Sequence, residues 1–110
     1  MSKRSTDLLK GTLDLLILKT LELEPRHGVA IAERIAQITT GTFVVKPGSL
    51  FPALHRLEAE GYITGEWGET PEGRRAKVYT LSPAGRKQLG IEKRNWMKIT
   101  AAMGQVLESE

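Results

Sequence analysis

The chain has 110 residues, room for one domain around a single core, since ~100 to 150 residues is the common domain size and buries roughly 60 to 70% of the unfolded surface. It has no cysteine, which excludes a disulfide framework or a thiolate metal site and points to a reducing compartment. The net charge of +3 is modest, yet half of the 16 lysines and arginines lie between Pro71 and Lys98, eight against two acids, as expected of a polyanion-binding face.

The first helix is predicted from about Thr6 to Leu23. Its leucines, Leu8, Leu9 and Leu16 among them, cover nearly the whole circumference, and a helix apolar all round must be buried on more than one side. In so small a domain one side faces the core and the other asks for a second subunit. Asp7, Lys10 and Asp14 interrupt the leucines, so neither a signal peptide nor a membrane span is expected, and the protein reads as cytoplasmic. Pro25 and His27-Gly28 end this helix. Val29, Ala30, Ile31, Ala32, Ile35, Ala36 and Ile38 build the second, with Glu33, Arg34 and Gln37 outward. Phe43-Val-Val45 is a β-favouring run, read as a minor strand on the edge of a later hairpin.

Val45 to Ile63 carries the clearest functional signal. Pro47 and Gly48 break what precedes, Ser49 is read as a cap, and Pro52 is placed in the first helical turn, where its missing N–H has no intrahelical partner to lose. Leu50, Leu54 and Leu57 share one face, leaving Ser49, Pro52, His55, Arg56 and Ala59 largely on the other, with Phe51 and Glu58 on the flanks. A buried side with a small, hydrogen-bonding outer side suits insertion into a groove, so this reads as a recognition helix. Tyr62 to Trp67 and Ala76 to Leu81 then form an antiparallel hairpin whose basic tip carries Arg74, Arg75 and Lys77.

Ser82-Pro83 is a cap followed by a proline at the first helical position. The helix it opens has Leu89, Trp96, Ile99, Met103 and Val106 at steps of 7, 3, 4 and 3, a short heptad seam. About 27 residues with such a stripe exceed what a small core needs and predict an oligomerisation helix that meets the first helix of a partner subunit. The fold class is mostly α with a small β-hairpin: a winged helix-turn-helix over residues 1–81, whose first helix contributes to the dimer, plus a long C-terminal dimerisation helix over residues 82–110.

Motifs along almost the whole chain resemble the PadR family of transcriptional regulators: Gly11-Thr-Leu-Asp-Leu-Leu-Ile-Leu18, Pro25-Arg-His-Gly-Val-Ala-Ile-Ala32, Gly48-Ser-Leu-Phe-Pro-Ala-Leu-His-Arg-Leu-Glu58, Gly61-Tyr-Ile63, Arg74-Arg-Ala-Lys77, Tyr79-Thr-Leu81 and Gly85-Arg86. Phe51 and Val29 depart from it, standing where tyrosine is usual. The resemblance implies a repressor that binds double-stranded DNA as a homodimer, placing two third helices in successive major grooves of a palindromic operator with half-sites ~34 to 36 Å apart. On that reading Ser49, His55 and Arg56 are candidates for base-edge or phosphate contacts, with Phe51 and Pro52 alongside, while Lys46, Arg74, Arg75 and Lys77 take phosphates or the minor groove. Leu8, Leu9, Leu16, Leu89, Trp96, Ile99, Met103 and Val106 would form the dimer interface. Some members take up a flat hydrophobic or phenolic effector between the subunits, which makes Trp96 a candidate effector contact.

Neither catalysis nor a cofactor is expected. Two histidines, His27 and His55, without cysteine give no clustered metal-ligand spacing, and there is no phosphate loop, nucleophile elbow or dinucleotide fingerprint. The rival is a winged helix that binds another protein, which has no need of Arg56, Arg74, Arg75 and Lys77 together.

Overall fold

A computed structural model describes residues 10–110. The elements are α1 (Lys10–Thr20), β1 (Arg26–His27), α2 (Gly28–Ile38), α3 (Pro47–Ala59), β2 (Ile63–Glu69), β3 (Arg75–Leu81) and α4 (Pro83–Leu107). The three strands form one antiparallel sheet in the order β1-β3-β2, and the architecture is a winged helix with a long C-terminal helix.

The core is what the periodicities predict. Leu13, Ile17, Leu18 and Leu21 from α1 and its exit meet Ile31 and Ile35 of α2, then Leu50, Ala53, Leu54 and Leu57 of α3. Ile63, Tyr79 and Leu81 close it from the sheet, where Ile63 lies opposite Leu81 and Gly65 opposite Tyr79. Period-two alternation puts these residues on one face of the hairpin.

Four local expectations are corrected. The helix α1 stops at Thr20 rather than Leu23: the Thr20 hydroxyl turns back to the Ile17 carbonyl, Arg26 Nε donates to the Thr20 carbonyl at 2.9 Å, and Leu23 is left 91% exposed. These bonds take over carbonyls at the helix end, and the chain turns. Phe43 to Val45 is no strand. After Thr40 and Gly41, both at positive φ, Phe43 N–H donates to the Thr39 hydroxyl and Phe43 and Val45 pack sideways on the core, so the third strand is Arg26-His27, paired with Tyr79 and Val78. The cap of α3 is Lys46, not Ser49, because Pro47 already occupies the first helical position and Ser49 N–H donates to the Lys46 carbonyl at 2.9 Å. Pro52 therefore sits in the second turn, inside the helix, where it removes the N–H that would have bonded Gly48; its exposed position leaves that carbonyl turned to water.

The last helix follows its sequence signals. Ser82 caps it, accepting from Gly85 N–H at 3.0 Å, with Pro83 next in line. Gly85 and Leu89 dock against the core, Leu89 only 4% exposed, so Leu89 is a core residue of its own subunit rather than part of an outer seam. From Lys93 onward every residue but Gly104 is exposed. At 1.5 Å per residue α4 is about 37 Å long, in a body measuring 57 × 33 × 21 Å.

Candidate nucleic-acid interface

One face of α3 is fixed by Leu50, Ala53, Leu54 and Leu57, all buried. The opposite face is then exposed, and it carries Ser49, Pro52, His55 and Ala59, with Lys46 and Gly48 at the N-terminus. Those are small or hydrogen-bonding side chains around a helix end whose first N–H groups have no intrahelical acceptor, a composition that accepts phosphate and base edges alike.

Arg56 is oriented differently. Its guanidinium pairs with Asp14 of α1, and both side chains are largely covered. Arg56 therefore joins the recognition helix to the first helix, across 42 residues of sequence. Glu60, one turn on, takes no part in that pair.

The wing is built around a tight tip. Thr70 N–H donates to the Arg74 carbonyl at 2.8 Å, Gly73 N–H returns to the Thr70 carbonyl, and the Thr70 hydroxyl accepts from Arg74 N–H. Gly73 takes φ +84°, a conformation a side chain would strain. This holds Arg74 and Arg75 exposed at the start of β3. The Arg75 guanidinium lies over the Trp67 ring, 4.8 Å from its centroid, and Trp67 is itself 61% exposed. Such stacking limits the side chain's rotamers and leaves its N–H edges free to contact anions.

Lys77 is committed elsewhere. Its Nζ donates to Glu58 Oε1 at 3.0 Å, which raises the lysine above its ordinary range, and its stem crosses Gly65, where an added Cβ would come within 2.7 Å of Lys77 Cε. Lys77 thereby straps β3 to α3. Tyr79 beside it is pushed up chiefly by burial, so its hydroxyl remains protonated.

Of the sequence candidates, Lys46, Ser49, Phe51, Pro52 and His55 are exposed on α3 and its entry and Arg74 and Arg75 on the wing; Phe51, His55, Arg74 and Arg75 line one cavity, while Arg56 and Lys77 are held in ion pairs. Phe51, 43% exposed, seats its ring edge against Gly28 at the first position of α2, where a Cβ would lie 3.0 Å from Phe51 Cε1. Sequence reasoning missed Asp14, Glu58 and Trp67 as parts of this surface. The signal for Trp67 was the hairpin register, which sets it opposite Lys77, but Asp14 and Glu58 are brought in by tertiary packing alone.

The interface candidates fare unevenly. Leu8 and Leu9 lie outside the described residues. Leu16 is half-buried against the core. Trp96 and Ile99, with Thr12 and Leu15 of α1, line a shallow cleft of about 210 Å³, and Met103 and Val106 continue outward from it, exposed. Among the described residues no three potential metal ligands cluster, and no helix is long and apolar enough to cross a membrane.

The sequence matches the transcriptional regulator PadR-like family over residues 17–91. A transcriptional regulator of Mycobacterium tuberculosis is 37% identical over 68 residues, 62% of this chain and 60% of that protein. Solved structures agree in fold. A PadR family transcription regulator from Clostridium difficile superposes with a TM-score of 0.74 at 31% identity, covering 86% of this chain and 97% of that one. A transcriptional regulator from Clostridium thermocellum gives 0.79 at 28% identity, covering 87% and 93%.

Proposed function

The chain belongs to the PadR-like family of DNA-binding transcriptional regulators, and from that premise we propose that it is a repressor that binds a palindromic operator as a homodimer. The single observation that supports this best is the surface where α3 meets the wing: exposed His55 and Phe51 line one cavity with Arg74 and Arg75, which are held in place by a tight turn and an indole ring. In this reading the N-terminal end of α3 enters the major groove, Ser49 and His55 meet base edges, and Lys46, Arg74 and Arg75 take phosphates. Arg56 and Lys77 act indirectly, by fixing the helix to α1 and the wing to the helix.

Residues 1–81 serve as the DNA-binding unit and residues 82–110 as the dimerisation helix, although Gly85 and Leu89 belong to the core of the former. Support for the dimer comes from α4: Trp96, Ile99, Met103 and Val106 are large apolar side chains left in water on one long helix, a pattern that marks an association surface. Trp96 at the α1–α4 cleft is then the residue a flat aromatic effector would meet at the seam, and such an effector would relieve repression by changing the separation of the two α3 helices.

The test is a mobility shift of the DNA upstream of the protein's own gene, titrated with salt. We expect tighter binding than to random DNA, and for Arg74→Ala with Arg75→Ala a loss on all sequences, with the slope of log affinity against log salt falling by roughly 0.9 per phosphate contact removed. An unchanged slope removes the wing from the interface. Binding to no genomic fragment more tightly than to random DNA favours a protein-binding role.

A further inference from the structure

Beside the exit of α1, α4 lines a groove of about 620 Å³. Leu89 and Met97 supply the apolar part of its lining, and Arg86, Lys93, Arg94 and Lys98 the basic part. Its one carboxylate, Glu22, is hydrogen-bonded to Lys19, and Lys93, Arg94 and Lys98 have no ion pair among the described residues. Charge along α4 is divided: residues 86–98 carry five cations against Glu92, whereas residues 99–110 carry Glu108 and Glu110 and no cation. This order opposes the dipole of the helix, since Arg86 and Lys87 lie near its positive end and Glu108 is its C-cap. An isolated α4 is weakened by such an order, and a neighbouring surface of opposite order offsets the loss.

We propose that this groove receives the end of α4 from a second copy of the chain, with Glu108 of the partner subunit against Arg94, so that the two helices run antiparallel. The register comes from the exposed apolar stripe of Trp96, Ile99, Met103 and Val106. Antiparallel pairing about Ala101 sets Trp96 against Val106 and Ile99 against Met103, and the same register brings position 108 opposite position 94. Positions 93, 97, 104 and 108, at steps of 4, 7 and 4, lie on one flank of that stripe, and Arg94 folds over Gly90 beside them. A two-fold axis that makes helices antiparallel brings like flanks together, so the cations of this flank meet the acid of the partner. Parallel pairing would instead set the basic half of one helix against the basic half of the other. The proposal rests on the homodimer proposed above and adds its direction and register.

Dimer affinity is read by sedimentation equilibrium in about 50 mM salt, where surface charges are weakly screened. Glu108→Lys should weaken dimerisation at least about tenfold, because two symmetric contacts turn repulsive, and Arg94→Glu should do the same. The two exchanges combined should recover most of the loss, which separates charge pairing from a fault in folding. The chain has no cysteine, so Lys87→Cys offers a single site for a nitroxide label. In the antiparallel register two such labels lie about 40 Å apart along the helices, against less than about 30 Å for a parallel pair, a difference that pulsed electron resonance resolves. A wild-type chain that stays monomeric overturns the homodimer and this contact with it. A dimer that Glu108→Lys leaves as tight as before, or that the combined variant fails to restore, overturns the groove as the seat and leaves the homodimer standing. A label separation below about 30 Å overturns the antiparallel order. Weaker DNA binding by Arg94→Glu at unchanged dimer affinity gives the groove to the duplex and overturns the proposal.

Discussion

Two surfaces leave the core of this molecule, and they differ in how far a single chain completes them. On the face formed by α3 and the wing, the charged groups are already arranged: Arg56 is tied to Asp14, Lys77 to Glu58, and Arg75 lies on Trp67. Nothing further is needed for that face to present its cations and its helix end. Along α4 beyond Gly90 the opposite holds, with Ile91, Trp96, Met97, Ile99, Met103, Val106 and Leu107 all substantially exposed. A polar surface can be finished by pairing within the chain because water tolerates its remainder. An apolar stripe can be finished only by another apolar surface. On the proposed function, the first surface supplies specificity and the second assembly.

The largest expected effect comes from breaking the second surface while leaving the first intact. Ile99→Glu with Met103→Glu puts charges on the stripe far from α3 and should yield a monomer by light scattering. Operator affinity should fall by about 10³-fold, because one half-site then binds without its twin, while the circular dichroism of the folded domain persists. A dimer that survives both substitutions would move the interface off α4 and remove the case for a palindrome.

Most of this division can be read from the sequence, for identifiable reasons. Helical and strand periodicities set out the core, because each buried leucine or isoleucine repeats at the spacing of its element. Ser82-Pro83 announces α4, since capping is local chemistry. What escaped was decided across distance or by competition between local signals. Ser49 is a good cap by type, but Pro47 two residues earlier is a better start for the helix, and the cap position moved to Lys46. Leu89 fits the heptad seam by spacing, yet the close docking of α4 at Gly85 draws it into the core. Arg56 faces away from the leucines in projection, while Asp14, 42 residues back, decides where its guanidinium goes.

The junction of the two surfaces offers a second, smaller effect. At Gly85 a Cβ would lie 1.9 Å from the Tyr62 carbonyl oxygen, which also accepts from Ser82 N–H at 3.1 Å and so cannot easily retreat. Gly85→Ala should therefore destabilise by about 3 kcal/mol through steric displacement of α4 from the sheet, lowering Tm by more than about 10 °C. Retention of wild-type Tm would mean that α4 is free to shift and that its angle to the winged helix is not set by this contact.

Arg56 gives the smallest effect and the sharpest test of how finished the first surface is. If the guanidinium serves to hold α3 on α1, Arg56→Ala should cost about 1 kcal/mol in urea unfolding, a value kept low because the largely covered pair still touches solvent. Affinity should then fall equally on the operator and on operators with single base changes. Arg56→Lys, which keeps the charge but loses the planar fork, should recover most of the stability and leave the ranking of operator variants unaltered. A base-reading arginine behaves otherwise: either substitution would flatten discrimination at one base pair by roughly 1 to 3 kcal/mol with unfolding unchanged. In that outcome the Asp14 pair would be a resting position that the arginine leaves on binding, and the surface of α3 would be completed by DNA rather than by the chain itself.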